Sequence, residues 1–293
     1  QNKVEVVLPI GYHSNIICSQ NQKEIQKFSS LLVADYKIIK QVSDKSNLAN
    51  FLDRNRIPCP KTFVVNKKED LNKISFSREM VIKSSQEMKG KKVEYAKNKQ
   101  ELRELFEKRK IFGPQIVQEK INGFGCGYFA LCKEGKILAS FQHRRIRQYP
   151  ESGGVSSFSE SFYDSKLEKL GKKVIEKLNW NGIIMVECIF DEQDKEYKLI
   201  EINSKFWGSL DLAIFSGVEF PYLYFLAAKG IEFPEPKYIS GKKFQWVLPE
   251  DTLRIKTSKN KIKAIKEWLF CLFNPKIKKD ISYILQEDRK SVV

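Results

Sequence analysis

Histidine is nearly absent from this chain: His13 and His143 are the only two in 293 residues. The six cysteines, Cys18, Cys59, Cys126, Cys132, Cys188 and Cys271, include no CxxC pair. Together these shortages argue against a zinc site, which needs Cys and His at close spacing. No apolar run approaches the roughly 20 residues of a membrane-spanning helix; the longest near either end, residues 268–273, has Lys266 at its edge. No charged-then-apolar leader with a small-residue cleavage site opens the sequence, so a cytoplasmic setting is expected. Thiols inside apolar runs such as residues 185–190 fit that reducing compartment, packing as small hydrophobes.

Negative charge is the minority: 36 acidic residues stand against 52 basic ones, a formal net charge of +16. Such a surplus draws a protein toward polyanions, whether nucleoside triphosphates, nucleic acid or anionic lipid. Sign alone does not choose among them. The lysines are interleaved with glutamate, as in residues 100–108, which is the pattern of a solvated helix face, and no compact basic motif stands out. No nucleic-acid partner is therefore expected. Internal repeats and low-complexity blocks are also lacking, while 42% hydrophobic residues can fill the cores of two or three compact units.

What is present reads as alternating α and β. Residues 4–10 form a short apolar run ending in Pro9 and Gly11, consistent with a buried strand. Asp44 caps a helix whose Leu48, Phe51 and Leu52 fall on one face before residues 57–60, Ile-Pro-Cys-Pro, end it. Strands are expected over 62–65 and 80–83, with a short helix over 69–74 between them. Residues 84–92 hold too few apolar side chains for a core element and are expected to be a loop. An extended piece at 93–96, an amphipathic helix at 99–108 and a strand at 115–121 follow. Residues 128–145 are rich in β-formers and broken at Glu134-Gly135, which predicts a hairpin. A helix over 165–178 leads to strands at 183–190 and 197–202, joined by the acidic turn 191–194, and Phe220-Pro221 opens a helix closing near Gly230.

The chemistry concentrates on that last strand pair. Glu201 and Asn203 sit at i and i+2 of one strand and project to the same face, and the hairpin brings Glu187 alongside. Two neighbouring carboxylates repel unless a cation lies between them, and hard oxygen ligands favour magnesium. The same residues are also compatible with salt bridges on an exposed sheet face, although an unpaired carboxylate in an apolar strand is costly. Lys83 ends a strand just before the polar loop containing Ser84, Ser85 and Gly90, whose backbone N–H groups can fold over phosphates, and Lys45 opens the helix behind Asp44. Arg144, Arg145 and Arg147 precede a Gly-Gly-Val-Ser-Ser segment and are suited to gripping a phosphate or a substrate carboxylate, or are simply an exposed basic strand end. Gly123, Gly125 and Gly127 imitate a dinucleotide fingerprint, but a β-rich segment follows where that motif requires a helix.

In this order the parts resemble the ATP-grasp superfamily. The resemblance spans roughly residues 4–230 and is carried by Ser43-Asp44-Lys45, residues 57–62, Val81-Ile82-Lys83, residues 117–123 and, above all, Leu199-Ile200-Glu201-Ile202-Asn203. Phe206-Trp207-Gly208-Ser209 after the last of these brings it nearest to carbamoyl-phosphate synthetase large chains and small carboxylate-amine ligases. The resemblance implies an α/β fold of two α+β subdomains clasping ATP: a small one over 45–114 and a large one over 115–235. A partial N-terminal domain over 1–44 would precede them and a basic tail over 236–293 would follow; with Gln1 rather than Met in first place, a truncated start is expected. It implies that Lys45 and Lys83, with Ser85 and Gly90 of the loop, contact ATP phosphates. It further implies that Gln118, Glu119, Lys120 and Ile121 form the hinge reading adenine, and that Glu187, Glu201 and Asn203 hold Mg²⁺, with Mn²⁺ as the alternative ion. Ser204-Lys205 stands where many relatives carry Pro-Arg, so Lys205 offers a point charge beside Arg145 as the catalytic cations. A glutamate that some relatives place for ribose is replaced near Gly125 by small residues.

The activity implied is ATP-dependent ligation: a small-molecule carboxylate is activated as an acyl-phosphate and passed to an amine. Two rivals share parts of the sequence. A phosphotransferase acting on a hydroxyl would use the same nucleotide site. A non-catalytic basic module would use residues 257–279, where Ile262, Ile265, Trp268, Leu269 and Leu272 recur at helical spacing among Lys259, Lys261, Lys263 and Lys266. That stripe either packs back on its own domain or lies on an anionic membrane surface.

Overall fold

The computed structural model describes residues 3–85, 93–109, 113–150 and 153–280. Residues 4–10 do not form a strand: one isolated parallel bridge links Val6 to Ser30, and Val4 and Ile10 are exposed. With one bridging partner the run has no ladder to join, and α1 (Tyr12–Gln20) follows at once, begun after Gly11. Then come α2 (Gln22–Ile25), α3 (Tyr36–Ser43), whose cap Asp35 accepts from Lys37 N, and α4 (Lys45–Arg54). The Asp44 carboxylate accepts from both Ser46 N and Asn47 N at 2.9 Å, satisfying two of the donors that a helix start leaves open.

Two sheets follow. The smaller contains β1 (Thr62–Val65), β2 (Met80–Ser84), β3 (Glu94–Ala96) and β4 (Gln115–Glu119) in the order β1-β4-β2-β3, antiparallel throughout. A 3-10 turn at Lys68–Lys73 and α5 (Lys99–Arg109) cover one side, where Val65, Ile74, Met80, Ile82, Leu102 and Phe106 are buried together.

The larger sheet contains β5 (Gly123–Lys133), β6 (Lys136–Tyr149), β7 (Val155–Ser161), β8 (Gly182–Asp191) and β9 (Glu196–Asn203). It orders as β7-β6-β5-β8-β9 and gains two strands from the C-terminal region described below. Period-two alternation divides its residues. Cys126, Tyr128, Val186, Cys188, Leu199 and Ile202 face α6 (Ser165–Leu178) and the N-terminal helices, while Phe129, Leu131, Phe141 and Trp207 face α7 (Leu210–Ser216) and α8 (Phe220–Ala228). The buried stripe of α4, Leu48, Phe51 and Leu52, belongs to the first of these cores. The unit expected over 45–114 is therefore divided, with α4 packed on the large sheet and only the later elements on the small one.

Of the stretch expected as a basic tail, the described residues 236–280 are integrated as well, and the rest lies outside the described residues. Pairing of β10 (Lys243–Gln245) with the edge strand β7 and of β11 (Ile277–Lys279) with β10 extends the large sheet, and α9 (Thr252–Thr257) and α10 (Lys261–Phe273) lie between them. The anchor is Asp251, fully buried. It accepts from Arg147 at 2.5 and 3.1 Å, Arg254 at 2.9 Å, Gln245 at 2.7 Å and Ser157 at 3.1 Å. Burial pushes the Asp251 carboxyl up, but Arg147, Gln245 and Arg254 together outweigh it and hold the group below its ordinary value. Among the described residues no single helix is long and apolar enough to cross a membrane.

Candidate active site

Glu187 on β8 and Glu201 on β9 are directly opposed in the antiparallel register, and Met185 opposes Asn203 two positions along. Opposed residues share a face, so both carboxylates and the Asn203 amide project to one side of the sheet. A bulge follows at once: Cys188 pairs with Leu199, which leaves Ile200 unpaired beside the two glutamates. The three side chains are half-buried, between fully buried neighbours such as Val186, Cys188 and Ile202 that point the other way.

Arg145 reaches this group from two strands away. On β5 the residues between are Gly127, which opposes Glu187, and Gly125 beside it. A Cβ on Gly125 would stand 3.3 Å from Arg145 Cδ, so the arginine lies across the strand where a side chain is missing. Its Nη2 forms a short charge-assisted bond to Glu187 Oε1. The glycine spacing thus gives a trough in a sheet rather than a phosphate-binding turn. The neighbouring arginines do something else: Arg144 pairs with Glu160 at 2.7 Å and Arg147 belongs to Asp251. Of the three expected to grip an anion, only Arg145 faces the carboxylates, and the segment after Gly154 is strand β7.

The lysines come from the other elements. Lys83 Nζ donates to Gln118 Oε1 at 2.9 Å, and Gln118 Nε2 donates to Thr62 Oγ1 at 2.8 Å, a relay across β2, β4 and β1. Burial, helped by the nearby Lys45 ammonium, lowers the Lys83 pKa to about 8 against the opposing pull of Glu201 and Glu187. Lys45 lies between two adjoining recesses. One is lined by Tyr12, Ser43, Glu201, Asn203 and Ser204, the other by Leu52, Cys59, Thr62, Lys83, Gln118 and Leu199.

The remaining expected residues are placed less directly. Ser85 is buried and is held through its main chain, accepting from Lys45 N at 3.2 Å and donating to Pro114 O at 3.1 Å; the rest of the expected loop, residues 86–92, lies outside the described residues. Gly90 lies outside the described residues. In the segment expected as the hinge, Glu119 N donates to Lys61 O and Lys120 N to Glu79 O, the Lys120 ammonium pairs with Glu79 at 2.5 Å, and Glu119 accepts from Ser77 at 3.0 Å. Among the described residues the Ile121 and Asn122 amides, just past β4, have no backbone partner. Lys205 is half-buried, beyond the recess that Ser204 lines.

Two contributors carried no local signal in the sequence. His143 Nε2 lies 2.7 Å from Ser209 Oγ, while its ring stacks on Phe129 at 4.6 Å and Phe129 packs on Trp207 at 4.3 Å. This pins the turn after Asn203 to the sheet. Burial, with the Arg145 charge nearby, lowers the His143 pKa to about 3, so the imidazole is neutral at ordinary pH. Arg78, just before β2, ties the small sheet to the β8–β9 turn through Asp191 at 2.6 Å and Asp194 at 3.1 Å. Both are partnerships across long sequence separations, which no spacing rule reveals.

The donor set fits magnesium and a phosphate chain. Two carboxylates and an amide are hard-oxygen donors, and phosphate oxygens can complete an octahedral shell. No group of three or more His, Cys, Asp or Glu able to hold a metal exists among the described residues, so the protein alone offers an incomplete site. Two buried polar atoms beside it, Arg145 Nε and Ser204 Oγ, have no hydrogen-bond partner among the described residues, which suits donors to an anion.

An ATP-grasp domain model matches residues 42–209, more than half of the chain. The chain belongs to the ATP-grasp family. Among curated proteins it is 21% identical over 218 residues to a carbamoyl-phosphate synthase of Methanobrevibacter smithii, covering 70% of this chain and 58% of that protein. Among solved structures it resembles the biotin carboxylase domain of the 2-oxoglutarate carboxylase of Hydrogenobacter thermophilus, in complex with MgADP, ADP and bicarbonate, with a TM-score of 0.63 and 15% identity over 79% of this chain and 54% of that one. An L-amino acid ligase from Bacillus licheniformis aligns with a TM-score of 0.58 and 16% identity, covering 76% and 54%. The fold is thus the ATP-grasp fold, and the chain spans little more than half the length of these relatives.

Proposed function

We propose that this ATP-grasp protein is a carboxylate-amine ligase that releases ADP. The observation that carries the proposal is the convergence of Glu187, Glu201, Asn203 and Arg145 on one sheet face, with Lys83 and Lys45 supplied from neighbouring elements. The ligase named among the structural relatives supports it. Glu187, Glu201 and Asn203 would hold magnesium, which when bound neutralises phosphate charge. Lys83 and Lys45 add fixed positive charge for the phosphate chain, and the Ile121 amide and its neighbours take the adenine.

In the reaction a carboxylate oxygen attacks the γ-phosphorus, the bond to the β-phosphate oxygen breaks, and ADP leaves. The amine nitrogen then attacks the acyl carbon of the mixed anhydride, inorganic phosphate departs, and the nitrogen loses a proton. Arg145 and Lys205 offset negative charge as it moves onto the leaving groups. No side-chain nucleophile is required by this scheme.

The test is a screen of carboxylate and amine pairs that measures ADP and free phosphate together. Ligation gives equal amounts of both, dependent on the amine. ADP formed without free phosphate in the presence of an alcohol would instead mark a phosphotransferase. No ADP from any pair would leave a basic ATP-binding or membrane-surface module without catalysis.

A further inference from the structure

We propose that the outward face of α10 docks on an anionic lipid bilayer. This helix lies outside residues 42–209 matched by the ATP-grasp domain, and the inference does not depend on the ligase reading. At 100° per residue, Ile262, Ile265, Leu269 and Phe273 share one face with Phe270 at its border. Ile262 is 71% exposed, Phe270 69% and Phe273 77%, and Ile265 and Leu269 are open as well. The side turned to the protein is furnished by the small residues Ala264 and Cys271, with Trp268 and Leu272 half-buried beside them. The apolar stripe legible in the sequence therefore splits, and most of it points away from the protein.

The helix is held in that orientation. Asn260 caps its start by accepting from Lys263 N at 3.0 Å, and Arg254, fixed by Asp251, reaches Ala264 O at 3.4 Å and Glu267 at 3.4 Å. Cys271 is buried with Phe158 and Ile277.

Charge identifies the occupant. Lys256, Lys259, Lys261, Lys263 and Lys266 are exposed on and just before the helix, and Lys276 just after it. The one acidic side chain on α10, Glu267, is engaged by Arg254 and Lys263. A second copy of this chain would bring the same lysines against each other. Nucleic acid would match the charge and leave Ile262, Phe270 and Phe273 without cover. The headgroup region of an anionic membrane takes both, with the apolar face in the acyl boundary and the ammonium groups at lipid phosphates.

The experiment is co-sedimentation of the full chain with vesicles of phosphatidylcholine alone, and of phosphatidylcholine containing roughly a third phosphatidylglycerol. Binding to the anionic vesicles only, weakening as salt shortens the reach of charge, is expected. The double substitution Phe270→Ser, Phe273→Ser should lower partitioning on the order of tenfold or more. Lys263→Glu, Lys266→Glu should act in the same direction, and all four substitutions should leave the melting temperature unchanged. Failure of the wild type to bind, equal binding to neutral vesicles, or full binding by the phenylalanine variant would each overturn the proposal. So would a concentration-dependent dimer abolished by that variant, which would identify a second copy as the occupant.

Discussion

Arg145 on β6 reaches Glu187 on β8 by crossing the strand between them at Gly125, where no side chain intervenes. The same carboxylate opposes Glu201. The residue proposed to hold magnesium is thus held in place by the residue proposed to neutralise the leaving group.

Gly125 is accordingly expected to be intolerant of bulk. Alanine would need only a small shift of the flexible Arg145 chain, but Gly125→Val fills the trough and displaces the guanidinium. Turnover, measured as ADP release with the carboxylate and amine pair returned by the screen, should fall on the order of 10- to 100-fold, the scale expected from losing one positioned group. A valine variant with wild-type turnover would show that Arg145 need not cross there.

Lys83 sets a pH dependence of nucleotide affinity. With a pKa lowered to about 8, it is cationic below that value and progressively neutral above it. ATP affinity measured by calorimetry should therefore be highest on the acidic side of about pH 8 and decline as pH rises through it. In Lys83→Met affinity should be weaker and flat across that range. A wild-type profile without a step near pH 8 would remove Lys83 from the phosphate site.

His143 predicts an acid sensitivity of stability. Its pKa is about 3 in the fold against 6.5 for the free side chain, so protons bind preferentially to the unfolded chain. The corresponding stability is fully present above about pH 6.5 and is lost as pH falls toward about 3, by the order of a few kcal/mol. Urea unfolding of wild type and His143→Gln at neutral pH and near pH 4.5 checks this. The loss on acidification should be smaller in the variant.

The sequence reading and the fold agree where physics is local. Asp44 caps α4, Glu134-Gly135 turns the β5–β6 hairpin, and Glu201 and Asn203 share a face because a strand has a period of two. Agreement fails where the deciding partner is distant. Arg147 looked equivalent to Arg145, but Asp251 lies 104 residues away in sequence and claims it. Residues 236–293 looked like a tail because β10 and β11 are three residues each, too short for a periodic signal, and become strands only by pairing with the edge of β7. Residues 4–10 have the composition of a strand and lack a ladder to join.

Stability should respond to the anchor of that C-terminal region. Asp251→Ala leaves Arg147 and Arg254 buried without their shared carboxylate, and breaking a buried ion pair from one side typically costs about 3–5 kcal/mol. Denaturant unfolding should show a loss of that order; a loss below about 1 kcal/mol would match an exposed surface pair instead.

The most direct measurement of the central claim is calorimetric titration of ATP, with and without Mg²⁺, into the wild type and Glu201→Gln. Tighter binding with magnesium in the wild type is predicted, together with loss of most of that gain in Glu201→Gln while binding of metal-free ATP and the melting temperature persist. A magnesium effect of equal size in both proteins would contradict the assignment of Glu201, with Glu187 and Asn203, as the place where the cation is held.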